Sequence, residues 1–392
     1  MSRPTIEVAD LVRACGARFV EQNQRWLSFQ QLKVLRAVEQ CRTPALGGHV
    51  DTCSACDYST ISYNSCRNRH CPKCQAQARE RWLTARQQEV LEAPYFHVVF
   101  TLPHQLNPLC RDNAKLLYDL LFRTAAETML EVAADARHLG ARIGFLAILH
   151  TWGQTLQLHP HLHCVVPGGG LSPDGQQWVS PRPSFFLPVR VLGRVFRGKF
   201  VAGLKRAFRR QRLRLAGQNA VLAKPQAFAA FLRTLFRQDW VVYAKPSFGG
   251  PAQVLRYLGR YTHRVAISNH RLLAFDGERV RFRWKDYAHG NKQRVMTLSA
   301  EEFLRRYVQH VLPHGFVRIR QFGFLANAQR SSTLTLLRSL LPQQDVRSSP
   351  GAGSSGSSDA TWQCPQCGQP MRIGLPLSAQ QLRSRCRAFD TS

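Results

Sequence analysis

Three groups of residues in this sequence are spaced so that they can do chemistry together. The first is His159-Pro-His161-Leu-His163-Cys-Val-Val166. Side chains alternate between the faces of a strand, so His161 and His163 point one way and Leu162 and Cys164 the other. Two imidazoles on one face can hold a divalent ion and leave positions for a third ligand and a substrate. Gln154 lies seven residues before His161, and a hairpin there would bring its amide oxygen to the same ion. Such a half-open site suits a metal that must also grip phosphate. Two histidines on an ordinary strand share this spacing, so context has to decide.

The second group is Val254-Leu-Arg-Tyr257-Leu-Gly-Arg-Tyr261-Thr-His263-Arg264. In a helix, Tyr257 and Tyr261 stand on one face, with Arg256 and Arg260 on a neighbouring one. A free phenol has a pKa of about 10 and is a weak nucleophile unless activated. Guanidinium groups and a metal-held phosphate lower that barrier by stabilising developing charge. A tyrosine pair at this spacing would equally suit a packed core.

The third group is drawn from 12 cysteines. Cys53-Ser-Ala-Cys56 and Cys71-Pro-Lys-Cys74 are two knuckles separated by 14 residues, which predicts one tetrahedral zinc ion with four thiolates. Cys66, His70 and His49 are alternative ligands, or the makings of a second site. A closed site of this kind is structural, and Arg67-Asn68-Arg69 between the knuckles can touch phosphate. Cys364-Pro-Gln-Cys367-Gly368 is half a ribbon, which alone cannot close a tetrahedron. Cys15, Cys41, Cys110, Cys164 and Cys386 read as small buried hydrophobes.

The elements that position these groups lie in a strongly basic chain. Its 54 Lys and Arg against 24 Asp and Glu leave a net charge of +30 among 392 residues. So large a surplus calls for a polyanionic partner, and nucleic acid is the natural one. No acidic residue occurs from Gly175 to Gln238, where Arg206, Arg209 and Arg210 join a run of arginines. Arg256, Arg260 and Arg264 are further candidate DNA contacts. No run of apolar residues suggests a membrane span, and the charged N-terminus does not read as a secretory signal, so a cytoplasmic protein is expected.

The pattern predicts an N-terminal helical segment over 1–45 and a zinc-binding domain over 46–80. A catalytic domain over 90–340 follows, with a basic helical insert at about 170–237. A Gln/Ser/Gly linker at 343–361 leads to a CxxC tail at 362–392. Helices are expected at about 75–93, 109–138, 189–215, 225–237 and 299–311. Strands are expected at 95–102, 143–155, 161–166, 239–244, 272–275 and 280–284.

Taken in order, SYNSCRNRHCPKCQ, HTWGQTLQLHPHLHCVV, RYLGRYTHRVAISNHR and the tail CPQCG resemble the two-tyrosine HUH transposases of the IS91 type, which move by rolling-circle transposition. The resemblance runs over most of the chain. It implies an α+β fold with a central antiparallel sheet flanked by helices, the HxH on a middle strand and the tyrosine helix laid across it. It implies His161 and His163 as ligands of Mg2+ or Mn2+, Tyr257 and Tyr261 as nucleophiles, and single-stranded DNA at transposon ends and target as partner. Gln154 occupies a plausible third-ligand position, and Zn2+ belongs to the N-terminal domain. The insert from about 168 to 237 departs from small HUH nucleases. A rolling-circle replication initiator shares this chemistry, and a non-catalytic zinc-containing DNA-binding protein is the rival from another class.

Overall fold

Capping signals and apolar periodicity set the first elements. In the computed structural model, which describes residues 4–182, 186–245, 253–254, 258–259, 262–287, 289–326, 330–341, 362–382 and 384, the chain opens with α1 (Val8–Asn23) and α2 (Phe29–Gln40). Ser28 caps α2: its hydroxyl accepts from the Gln31 amide at 3.3 Å, and the Gln31 side chain accepts from the Ser28 amide at 2.8 Å, a reciprocal capping box. A hairpin, β1 (Gly48–Cys53) and β2 (Ser59–Tyr63), precedes α3 (Gln75–Arg86).

Then comes β3 (Tyr95–Thr101), followed by α4 (Asn107–Asp112) and α5 (Ala114–Ala134), where the sequence suggested one helix. The break falls at Asn113, whose side chain bonds the backbone of Arg214 in both directions, at 3.1 and 2.7 Å. A long hairpin, β4 (Gly144–Trp152) and β5 (Leu158–Pro167), leads to a short pair, β6 (Gly170–Leu171) and β7 (Trp178–Val179). Helices α6 (Val189–Arg209) and α7 (Pro225–Phe236) and strand β8 (Val242–Lys245) follow. The next three strands, β9 (Leu272–Phe275), β10 (Arg279–Asp286) and β11 (Lys292–Ser299), make a separate antiparallel sheet that runs into α8 (Ala300–Val308). The last elements are β12 (Ile319–Gly323), α9 (Arg330–Leu340) and β13 (Met371–Leu377).

The fold is mixed α+β with antiparallel sheets. Its five-stranded sheet runs β12-β4-β5-β3-β8, every neighbouring pair antiparallel, which puts the strand of His161 and His163 in the middle. One face, with Phe96, Val98, Phe100, Phe145, Leu149 and Leu162, packs against Leu121 and Phe122 of α5 and Phe196 and Phe200 of α6. The basic helix of the expected insert is therefore a layer of the main core. The opposite face carries Leu146, Ile148 and Val165, and is covered by Val254, Leu258 and, in part, Trp82 and Leu83 of α3. By strand alternation, His150, His161 and His163 lie on this second face.

A second core joins distant parts of the chain. Leu11, Phe19, Val34 and Val38 of the first two helices pack with Ile267, Phe282 and Phe303, and with the buried Cys41 and Cys71. Among the described residues, no helix is long and apolar enough to cross a membrane.

The edge of the large sheet holds a sharp steric constraint. Gly323 in β12 has φ +62°, and a Cβ there would lie 1.8 Å from the Ile143 carbonyl oxygen. Gly323→Ala thus adds left-handed strain to a backbone clash. It is expected to cost more than about 3 kcal/mol and to lower Tm by roughly 5 °C or more; an unchanged melting curve would contradict this.

Candidate functional site

The site is built by the register of one hairpin. His161 pairs across from His150, and His163 from Ile148, while β3 flanks the same strand on its other side. The ligand nitrogens of His150, His161 and His163 all lie within 4.8 Å of one another. The Nε2 atoms of His161 and His163 are 3.1 Å apart. Two imidazole nitrogens each about 2.1 Å from one ion stand roughly 3 Å apart, so the pair has metal-site spacing.

The other ring nitrogens are held from behind. His161 Nδ1 donates to the His159 carbonyl at 2.7 Å, and His163 Nδ1 lies 2.8 Å from His97 Nε2. Such bonds fix each ring so that Nε2 faces the common point. Trp152 stacks on His150 with centroids 4.5 Å apart. Burial lowers the His161 pKa to about 3 and that of His97 to about 4, and it pushes His163 well below the ordinary histidine value. These rings are neutral at neutral pH, which is the form that ligates. The donor set fits a divalent ion.

The side chain of Gln154, the expected third ligand, is engaged elsewhere in this structure. Its amide oxygen accepts from the Lys285 backbone and its amide nitrogen donates to the Tyr287 hydroxyl, each at 3.4 Å. The reason is a register shift between His150 and Trp152, together with a left-handed turn residue, Leu156 at φ 62°. These send Gln154 toward β10 and leave His150 opposite His161. Sequence reasoning missed His150, because periodicity does not reveal which residue stands across a hairpin.

Tyr257, Tyr261, Arg256 and Arg260 lie outside the described residues. Around them, Val254 and Leu258 pack on the histidine face of the sheet. A Cβ on Gly259 would lie 2.9 Å from Leu83 of α3, and the His263 ring is 6.0 Å from Trp82. Arg264 is half-buried, and its charge helps lower the pKa of both His161 and His163. Arg206 and Arg209 are exposed on α6, as is Arg210 just after it, in the layer that covers the opposite face of the sheet.

The cysteines also group differently from the sequence expectation. Cys71 and Cys74 cluster with Cys66 and Cys41, whereas Cys53 and Cys56 cluster with Cys364 and Cys367. The β1–β2 hairpin carries the Cys53 knuckle to its tip, and β2 then leads back to the end of α2, where Cys41 sits. Cys74 Sγ is 3.5 Å from Cys41 Sγ and 3.6 Å from Cys66 Sγ. Hydrogen bonding from Cys66 lowers the Cys41 pKa to about 7, which favours the thiolate a metal needs. His70 and His49 belong to neither cluster: His70 Nε2 accepts from the Leu312 amide at 3.4 Å, and His49 faces Asp51 at 3.3 Å. Arg69 donates to the carbonyls of Phe316 and Pro313, tying this knuckle to the loop that follows α8.

A family described as "Putative transposase" matches residues 144–332, and one described as "Transposase zinc-binding domain" matches residues 11–102. Putative transposase y4qJ of Sinorhizobium fredii is 51% identical over 400 residues, covering 100% of each chain. The transposase for insertion sequence element IS801 of Pseudomonas savastanoi pv. phaseolicola is 33% identical over 331 residues, 78% of this chain and 74% of that one. The chain belongs to the IS91-like transposases. No solved structure matches it.

DNA is accordingly the partner of this transposase, and the cysteine clusters are of the kind that holds zinc. A groove of about 1840 Å³ runs between the zinc-binding region and the loop that follows α8. Arg42, Arg67, Arg81 and His263 line it, with Tyr63 and Trp362 among them. Half-buried Arg318 holds the backbone beside it, donating to the carbonyls of Thr262 and Arg264 at 2.9 and 3.2 Å.

Proposed function

We propose that this transposase nicks and rejoins single-stranded DNA through a 5′-phosphotyrosine, in rolling-circle transposition, at the centre formed by His150, His161 and His163. The observation that carries the reading is the convergence of His161 and His163, on the middle strand of the sheet, with His150 on the neighbouring β4. Val254 and Leu258, each three residues before a candidate nucleophile, pack on the same face. This arrangement supports the HUH fold that the sequence motifs imply.

A divalent ion held by the three imidazoles would polarise the scissile phosphate. With no protein oxygen among these ligands, Mn2+ suits the set better than Mg2+, which favours oxygen. Arg264 neutralises phosphate charge beside the histidines. One phenol, Tyr257 or Tyr261, gives up its proton to water and attacks phosphorus. The tyrosine oxygen–phosphorus bond forms as the phosphorus–O3′ bond breaks, and the departing oxygen takes a proton to become a 3′-hydroxyl. Attack by a 3′-hydroxyl reverses the step, so rejoining needs no outside energy source. A second tyrosine allows a second cut while the first remains loaded. The basic groove suits a single strand, its phosphates met by arginines and its bases stacked on Tyr63 and Trp362.

The test is a transposon-end oligonucleotide labelled at its 3′ end and incubated with the full chain and Mn2+. The label should stay with the protein on a denaturing gel. It should fall by roughly tenfold with Mg2+ and vanish with EDTA. Label that never joins the protein would overturn the phosphotyrosine reading, and equal adducts on duplex DNA would overturn the single-strand reading.

A further inference from the structure

The strand that carries the C-terminal knuckle is poorly held by apolar contact. β13 pairs antiparallel with β1, Cys53 facing Met371 and Thr52 facing Arg372. Of its apolar side chains only Met371 is buried; Ile373 is 79% and Leu375 82% exposed. The cluster beneath it is small, with Cys53, Cys364 and Met371 and part of Tyr58. Something other than hydrophobic burial keeps the tail on the hairpin.

The two knuckles meeting there are built alike. The Cys53 amide donates to the Tyr58 carbonyl at 2.8 Å, and the Cys364 amide donates to the Gln369 carbonyl at 2.8 Å. The residue after each second cysteine turns left-handed, Asp57 at φ 57° and Gly368 at φ 75°. Each knuckle therefore presents two sulfurs from the same tight turn, and the turns face one another. Across the interface, Cys53 Sγ lies 3.5 Å from Cys367 Sγ, and Cys56 Sγ lies 3.6 Å from Cys364 Sγ. A disulfide requires about 2.05 Å. Thiolates each about 2.3 Å from one tetrahedral zinc ion stand about 3.8 Å apart, close to what is seen. The Ala55 amide also approaches Cys53 Sγ at 3.4 Å, a contact that suits a thiolate.

We propose that Cys53, Cys56, Cys364 and Cys367 hold one zinc ion of their own, which clasps the C-terminal segment to the N-terminal hairpin. The four sulfurs close the tetrahedron, so the ion is structural. It cross-links positions 53 and 364 and thereby removes freedom from the unfolded chain between them. It also fixes Trp362 and Ile373 as part of the wall of the groove that holds Arg67 and His263.

The test compares zinc content in full-length variants by elemental analysis. Cys53→Ser with Cys56→Ser should lose one zinc per chain, and Cys364→Ser with Cys367→Ser should lose one. The four-fold variant should also lose one, not two, because both pairs serve the same ion. Should the 53/56 pair prevent folding, the 364/367 pair carries the test with a second readout. Trypsin should cut at Arg372 readily in that variant and slowly in the wild type. Unchanged zinc in the 364/367 variant, a loss of two in the four-fold variant, or equal protection of Arg372 would each overturn the clasp. None of these readouts requires DNA cleavage, so they stand apart from the proposed reaction.

Discussion

Replacing Tyr257 and Tyr261 together with phenylalanine is expected to reduce covalent protein–DNA adducts by at least about 10³-fold. In the proposed reaction these two phenols supply the bond to phosphorus, while His161 and His163 are engaged through Nδ1 by the His159 carbonyl and His97. Phenylalanine keeps each ring and removes only the hydroxyl, so Tm and affinity for a single-stranded oligonucleotide should hold. Either single substitution leaves one phenol. Adducts at one end should then persist, while products that need two cuts disappear. Labelled oligonucleotides on a denaturing gel separate these outcomes, and adducts surviving in the double variant would eliminate both tyrosines as nucleophiles.

His150→Ala is expected to lower Mn2+-dependent cleavage by more than about 100-fold, because changes to groups behind a metal ligand already cost 10–100-fold. His97→Ala, which removes the partner 2.8 Å behind His163, should fall within that smaller range. Gln154→Ala should stay within about twofold, since its amide is turned toward Lys285 and Tyr287. Calorimetric titration with Mn2+ gives a readout independent of cleavage, and affinity should drop for His150→Ala alone of the 150/154 pair. Equal losses at positions 150 and 154 would restore the glutamine as ligand.

Much of the sheet was legible because its strands are continuous apolar runs. Tyr95–Thr101 and the HxH strand fall where expected, as does the Leu272–Phe275 hairpin with its neighbour. Register was not legible. A period of two tells which side chains share a face, but the shift between His150 and Trp152 decides what stands opposite His161. The thiols failed for a related reason. Short sequence separation favoured pairing Cys53 with Cys71, yet a hairpin and a strand carry them apart, and the thiols that complete the clusters are Cys41 and Cys66 for one and Cys364 and Cys367 for the other. Cys41 looked like an ordinary apolar residue at a helix end. The acid-free stretch drew attention to its arginines, while Leu192, Phe196, Phe200 and Leu204, recurring at helical spacing, are what make α6 part of the main core. Strands β11 and β12 have weak signals: most of β11 is exposed and β12 is only half-buried.

The placement of β1 between β2 and β13 also has a consequence for how the protein is made. About 300 residues separate β1 from β13; at about 5–20 residues per second, a ribosome needs roughly 15–60 s to supply the outer strand. During that interval one edge of β1 offers its backbone groups to any passing strand. The edge is short and carries the acidic, inward-pointing Asp51 in its middle, a feature that discourages pairing with a stranger. The nascent transposase is thus guarded at the place where its own last strand will dock.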